Sequence, residues 1–229
     1  MKQNGTLLNT VENDIESIEV IGDEHLGSGK ETPMRKGAFD LDDEDKISMI
    51  KEHMVEIMNI LGLDLNDDSL KGTPHRVAKM YVQEVFKGLN PANRPKAKMF
   101  ANKYKYNEML VEKNITVYSY CEHHFVPIFG KAHVAYISNG NVIGLSKINR
   151  IVEYYSKRPQ VQERLTEQIA EELKQALGTQ DVAVVIDAAH MCVASRGIKD
   201  VNSSTVTSHY SGKFKQDQAK NEFLKYLDI

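Results

Sequence analysis

Apolar positions recur along the chain with two different periods, and the change between them divides it. From Asp42, "DDEDKISMIKEHMVEIMNILGL" sets Ile47, Ile50, Met54, Ile57 and Leu61 at helical spacing. Its acidic opening suits the positive end of a helix, and Gly62 offers a stop. A second helix is expected over "TPHRVAKMYVQEVF", where Thr73 can cap, Pro74 fits the first turn, and Val77, Met80 and Tyr81 form the stripe. Arg76 and Lys79 stand three apart on it and share a face. The prolines of "NRPKA" and Pro91 then end the helical region.

A period of two follows. In "NITVYSYCEHH", Ile115, Val117 and Ser119 alternate with Thr116, Tyr118 and Tyr120. "GKAHVAYISNGNVIGL" reads as strand, Asn-Gly turn and short strand. Helical spacing returns in "SKINRIVEYYS", with Ser146 as the expected N-cap and Ile148, Ile151, Val152 and Tyr155 on one face. After Pro159, Val161, Leu165, Ile169, Leu173 and Leu177 lead to a terminating Gly178. The nearly unbroken apolar run "DVAVVIDAAHMCV" is a buried strand, "VNSSTVTSHYSG" a more polar one, and "DQAKNEFLKYLDI" a short amphipathic helix. Helices, strands, a helix pair and strands again favour an α+β layer over a wound βαβ sheet. Residues 1–40 show no sustained period. They carry eight acidic against four basic residues and include "GSGKETP", so a loosely ordered extension is expected there. The chain thus divides into an extension (1–40), a helical region (41–95) and a mixed region (96–229).

Composition narrows the class. With 41% hydrophobic and 27% charged residues the chain is an ordinary globular one. A net charge of −3 excludes a general nucleic-acid binder, so an anionic ligand must meet a local basic cluster. No apolar run is long enough to span a bilayer, and the N-terminus lacks a secretory pattern. Two cysteines are too few for a disulfide scaffold, which points to the cytoplasm.

Those two cysteines carry the candidate chemistry. Cys121 and His124 form a Cys-x-x-His at a strand end, and Cys192 follows His190 by two on the apolar strand. If the strands meet, two sulfurs and one imidazole make a zinc-type donor set. One chain with two cysteines cannot close a Cys₄ or Cys₃His site. Three ligands would leave a position where a water is activated near neutral pH. His123 and His190 would then stand beside the metal as proton carriers. Spacing assigns Glu122 no role, and a place behind the metal ligands as their hydrogen-bond partner stays open. The alternative stays open: a Cys-x-x-His arises by chance, and a buried cysteine is often a small hydrophobe.

A second cluster is "GLSKINR". Ser146, Lys147 and Arg150 fall at the start of a helix, where backbone N–H groups favour an anion, and Arg196 could add to them. A capped surface helix with ordinary basic residues fits the same pattern. Gln162 and Glu163 open the next helix, and a carboxylate there could accept from a guanine edge.

The segments "CEHH", "GLSKINRIV", "RPQVQERLTEQI" and "HMCVASRG", in that order, closely resemble the GTP cyclohydrolase I family. "LDLNDDSLKGTPHRVAKMY" resembles its N-terminal helical portion, so the likeness spans about residues 45 to 227. The resemblance implies the tunnelling fold, an antiparallel four-stranded sheet backed by two long helices, assembled as a toroidal homodecamer with sites between subunits. It implies hydrolysis of GTP to 7,8-dihydroneopterin triphosphate and formate. By the same likeness Cys121, His124 and Cys192 hold Zn2+, and His123 and His190 move protons. Ser146, Lys147, Arg150 and Arg196 hold the triphosphate or ribose, with Ser146 also serving the later proton shifts. Gln162 and Glu163 hold the guanine, and Arg76 and Lys79 reach a neighbour's GTP. Tyr120, Val193 and Ser195 depart from the pattern mildly and remove no ligand. The competing readings are a closed zinc module, a zinc-stabilised protein of the same fold acting on another purine or pterin, and a zinc deaminase. The deaminase signature His-x-Glu with Pro-Cys-x-x-Cys is absent.

Overall fold

A computed structural model describes residues 29–96 and 99–227, so the expected loose extension lies outside the described residues over 1–28. Asp42 starts helix α1 (Asp43–Ile60) by accepting the Asp45 amide at 2.8 Å, satisfying a donor that a helix start leaves open. Ile47 and Met58 are buried along it, whereas Ile57 and Leu61 are 49% and 68% exposed. Ile57 lies about 100° around the helix from Met58, at the edge of the stripe, and Leu61 is the C-cap beyond the last turn. Helix α2 (Thr73–Lys79) is capped at Gly72 rather than Thr73, whose hydroxyl instead accepts from Arg76 Nη2 at 3.1 Å. Over Met80–Val85 the helix widens to a π-helical turn, and 3₁₀ turns at Lys87–Leu89 and Pro91–Asn93 complete the helical region.

The mixed region is built on one sheet. Strands β2 (Met109–Cys121), β3 (Pro127–Ile137), β6 (Val182–His190) and β7 (Thr205–Tyr210) pair antiparallel in that order. A two-residue strand β5 (Pro159–Gln160) runs parallel to the end of β2. Helices α3 (Leu145–Ser156) and α4 (Gln162–Leu177) cover one face. There Val182, Val184 and Ile186 of β6 join Ala132 and Val134 of β3, Ile148 and Ile151 of α3, and Leu165, Ile169 and Leu173 of α4 in the main core. The alternate residues Ala183 and Val185 face the other way and meet Phe214, Phe223 and Leu227 around helix α6 (Asp217–Leu227). The α+β layer expected from the periods is present, and α4 ends as expected at Gly178, whose φ of +64° suits a residue without Cβ.

The expected strand, Asn-Gly turn and short strand are present, and one further capping expectation differs. After the Asn139–Gly140 turn the returning strand β4 (Asn141–Ile143) pairs with β1 (Met99–Ala101) and not with β3. Strand β3 is central, and both of its edges at that end are taken by β2 and β6. Ser146 is not the N-cap of α3: Gly144 holds that position and Ser146 lies inside the first turn.

Candidate active site and metal centre

Cys121 ends β2, and the chain turns at once. The Cys121 amide donates to the Val126 carbonyl at 2.9 Å, and the Phe125 amide donates back to the Cys121 carbonyl at 2.9 Å. Phe125 takes φ +52°, the left-handed region that a bulky side chain adopts only under constraint. Its ring is held by Phe86, 5.0 Å away, and by Tyr81 at 6.3 Å. The helical region therefore reaches the turn through an aromatic cluster.

The strands carrying the two cysteine segments do not pair with each other. Strand β3 lies between β2 and β6, and its first residues register with both Tyr120 and His190. The segments nevertheless reach one end of the sheet. Cys192 is not on the strand as expected, because β6 stops at His190 and Cys192 sits in the single helical turn α5 (Met191–Ala194). That turn swings its sulfur toward the Cys121 turn. Ligand atoms of Cys121, His124 and Cys192 all lie within 4.8 Å of one another. Cys121 Sγ is 3.9 Å from His124 Nδ1; tetrahedral zinc with Zn–S about 2.3 Å and Zn–N about 2.0 Å has edges of roughly 3.6 Å. The donor set thus fits zinc by chemistry and by spacing. Burial pushes the Cys192 thiol up, and the Cys121 sulfur beside it adds to that. A cation between them would reverse the trend.

Of the two candidate proton carriers, His123 meets the cluster and His190 stands two residues before Cys192. His123 Nδ1 is 3.9 Å from Cys121 Sγ. His190 Nε2 meets Gln162 Oε1 at 2.7 Å. The Gln162 amide nitrogen donates to the carbonyls of Ile186 at 3.1 Å and Thr205 at 2.8 Å. Both are acceptors only, so the amide oxygen must face His190 and the imidazole must donate from Nε2. Burial holds His190 below the ordinary histidine range, with Glu163 partly opposing this. With Nε2 carrying the hydrogen given to Gln162, Nδ1 is the atom left to take up or release a proton. Gln162 is 2% exposed and committed to protein partners, while Glu163 beside it is exposed. Arg196 Nη1 lies 2.9 Å from His124 Nε2, which places that guanidinium at the rim of the cluster.

Ser146, Lys147 and Arg150 lie elsewhere in the same chain. Asn149 of their helix donates to Glu112 at 3.2 Å, and Glu112 precedes Cys121 by nine residues on β2. At about 3.3 Å per residue Glu112 lies roughly 27–30 Å along the strand from Cys121, so the start of that helix stands toward the far end of the sheet from the metal cluster. Arg76 and Lys79 sit on α2, just before the π-helical turn whose Tyr81 packs on Phe125. Arg76 is bonded locally, to Ser69 and Thr73. Sequence reasoning named no partner for Glu122, leaving only a supporting place behind the ligands open, and passed over Arg164. These two form an ion pair across 42 positions, a separation that leaves no local signal.

The GTP cyclohydrolase I family model matches residues 50–228. GTP cyclohydrolase 1 of Flavobacterium johnsoniae is 64% identical over 217 residues, covering 95% of this chain and 97% of that protein. GTP cyclohydrolase 1 of Salmonella arizonae is 54% identical over 207 residues, covering 90% and 93%. Matches of this extent, over a sheet end that gathers both cysteine segments, establish that the chain belongs to the GTP cyclohydrolase I family.

Proposed function

We propose that the chain converts GTP and one water into 7,8-dihydroneopterin triphosphate and formate, the entry step to folate and related pterins, with zinc held by Cys121, His124 and Cys192. The observation that carries this reading is the convergence of those three donors, from segments about 70 residues apart, within 4.8 Å. When bound, zinc supplies a Lewis acid whose open position lowers the pKa of a water to about 7. No fourth donor joins the group among the described residues, in keeping with an open centre.

The chain's own groups do the rest. His190, fixed by Gln162, accepts a proton at Nδ1. His123 protonates the purine nitrogen beside C8 as the imidazole ring opens and formate leaves. Glu163 accepts from the guanine edge, and Gln162 shapes that pocket through His190. Arg196, Ser146, Lys147 and Arg150 hold the triphosphate and ribose, and Ser146 assists the proton shifts that precede pterin closure. Because Ser146, Lys147 and Arg150 lie toward the far end of the sheet from the metal cluster of their own chain, they serve a neighbour's. Arg76 and Lys79 likewise reach an adjacent GTP. A shared site calls for an oligomer, and the tunnelling-fold homodecamer is the assembly this reading adopts. In it, residues 96–229 form the catalytic domain and 41–95 the helical region. Thiol ligands that must stay reduced suit the cytoplasm, the compartment this reading adopts. Among the described residues no helix is long and apolar enough to cross a membrane.

The test is incubation with GTP, with and without a chelator, following formate and the fluorescence of the oxidised pterin. Wild-type protein should release both in a metal-dependent way. Cys192→Ala should lose bound zinc and at least 10³-fold in turnover while staying folded, about 4 kcal/mol of barrier. Retained metal and turnover would reject the ligand assignment.

A further inference from the structure

The ends of two distant segments must meet within an ångström or so for a shared metal to bind, and one helical turn touches both. Gln162, first residue of α4, holds His190 two positions before Cys192. Arg164, two residues further on, holds Glu122, which stands between Cys121 and the paired histidines. Arg164 is 5% exposed. Its Nη1 donates to Glu122 Oε2 at 2.5 Å, its Nη2 to Oε1 at 3.3 Å, and its Nε to the Gly29 carbonyl at 2.9 Å. The Glu122 amide donates in turn to the Gln160 carbonyl at 3.0 Å, just ahead of α4.

A buried ion pair contributes little net stability, because desolvation offsets most of the attraction. What a planar, bidentate guanidinium does supply is direction. We infer that Arg164 and Glu122 are positioning residues: the first turn of α4 acts as a jig that sets the Cys121–His124 turn against the His190–Cys192 segment. The turn is then pinned on both sides, by this ion pair at Glu122 and by Phe86 and Tyr81 at Phe125. The inference rests on the metal reading above and concerns what holds the ligands, not which they are.

The test measures zinc affinity directly, by competing apo-protein against a chromophoric chelator, alongside GTP kinetics. Glu122→Gln keeps size and hydrogen bonding but loses the charge. Arg164→Lys keeps the charge but loses the fork. Each should weaken zinc binding by about 10-fold or more, as removing outer-shell support does. Turnover should fall through kcat, with KM for GTP within about twofold, because the lost element orients the centre and not the nucleotide. The double variant should bind zinc no worse than the weaker single one, since both remove one shared contact. Folded Glu122→Gln protein with wild-type zinc affinity overturns the inference, whatever becomes of Arg164→Lys. A wild-type chain that takes up no zinc overturns the ligand assignment itself and this inference with it.

Discussion

At Lys113 and Asn114 strand β2 carries one residue more than its partner: Glu112 registers with Val134 and Ile115 with Ala132, leaving His133 opposite two positions. Asn114 accommodates the bulge at φ +62°, a conformation asparagine tolerates better than most residues. The extra residue inverts the strand's parity. Leu110 packs against the main core before it, and Ile115, Val117 and Cys121 do so after it. Without the bulge Tyr120, not Cys121, would turn to that face. His133 closes the bulge by accepting the Asn114 amide at Nδ1, at 3.4 Å. It is 7% exposed, and burial holds its pKa below the ordinary value, with Lys113 and Lys131 acting the same way and Asp187 against them. A histidine with a depressed folded-state pKa leaves stability intact above its unfolded value of about 6.5 and costs stability as pH falls through and below it. His133→Gln should therefore flatten the fall in Tm between pH 7 and the acid range. A melting profile as steep as wild type would remove His133 as a source of that fall.

Elements are joined by polar bolts as much as by the core. The helical region meets α3 and α4 where Lys87 Nζ reaches Glu153 at 2.7 Å and Arg94 makes two bonds to the buried Glu172. Tyr155 donates to the same carboxylate at 2.7 Å, and burial together with that contact pushes its phenol far up. Arg158 lies over the rings of Tyr154 and Tyr155, about 4.5 Å from each, and donates to the Gly88 carbonyl at 2.9 Å. Gly88 is what permits this approach. A Cβ there would stand 2.1 Å from the Tyr154 carbonyl and 2.7 Å from that of Lys157, both backbone atoms with little freedom to yield. Gly88→Ala should cost about 2–3 kcal/mol in chemical denaturation and loosen the helical region first, read as faster amide exchange in α1 and α2. Wild-type stability would mean that this junction is softer than its geometry implies.

For the whole molecule the decisive feature is how far apart the metal cluster and the proposed Ser146–Arg150 anion cluster lie in one chain. Among the described residues the sheet ends in strand β7 on one side and is covered at the other only by the two residues of β5. Its face away from α3 and α4 shows Tyr118 at 59%, Phe129 at 40% and Val206 at 55% exposure. Open edges and apolar outward residues of this kind are normally covered in a stable protein. Neighbouring copies would cover them and would bring a second Ser146–Arg150 cluster to each metal centre. Sedimentation should accordingly give a mass that is a multiple of 25.9 kDa, with ten chains expected. A single-chain mass in an active preparation would end the shared-site reading, since the start of α3 stands toward the far end of the sheet from the metal cluster of its own chain.

By itself the sequence determined the main helices and strands of residues 96–229 and the identity of the ligand candidates. Period and end signals are local properties: Leu165 to Leu177 and Gly178 declare α4 without reference to anything else. Only tertiary structure decided that β3 separates the two cysteine strands, that Cys192 leaves its strand for a helical turn, and that Ile57 stays exposed. It alone revealed that Gln162 is spent on His190 and that Arg164 pairs with Glu122. Those outcomes depend on strand order, register and burial, which are set by contacts between residues far apart in the chain. A pattern read along neighbouring positions carries no term for such contacts.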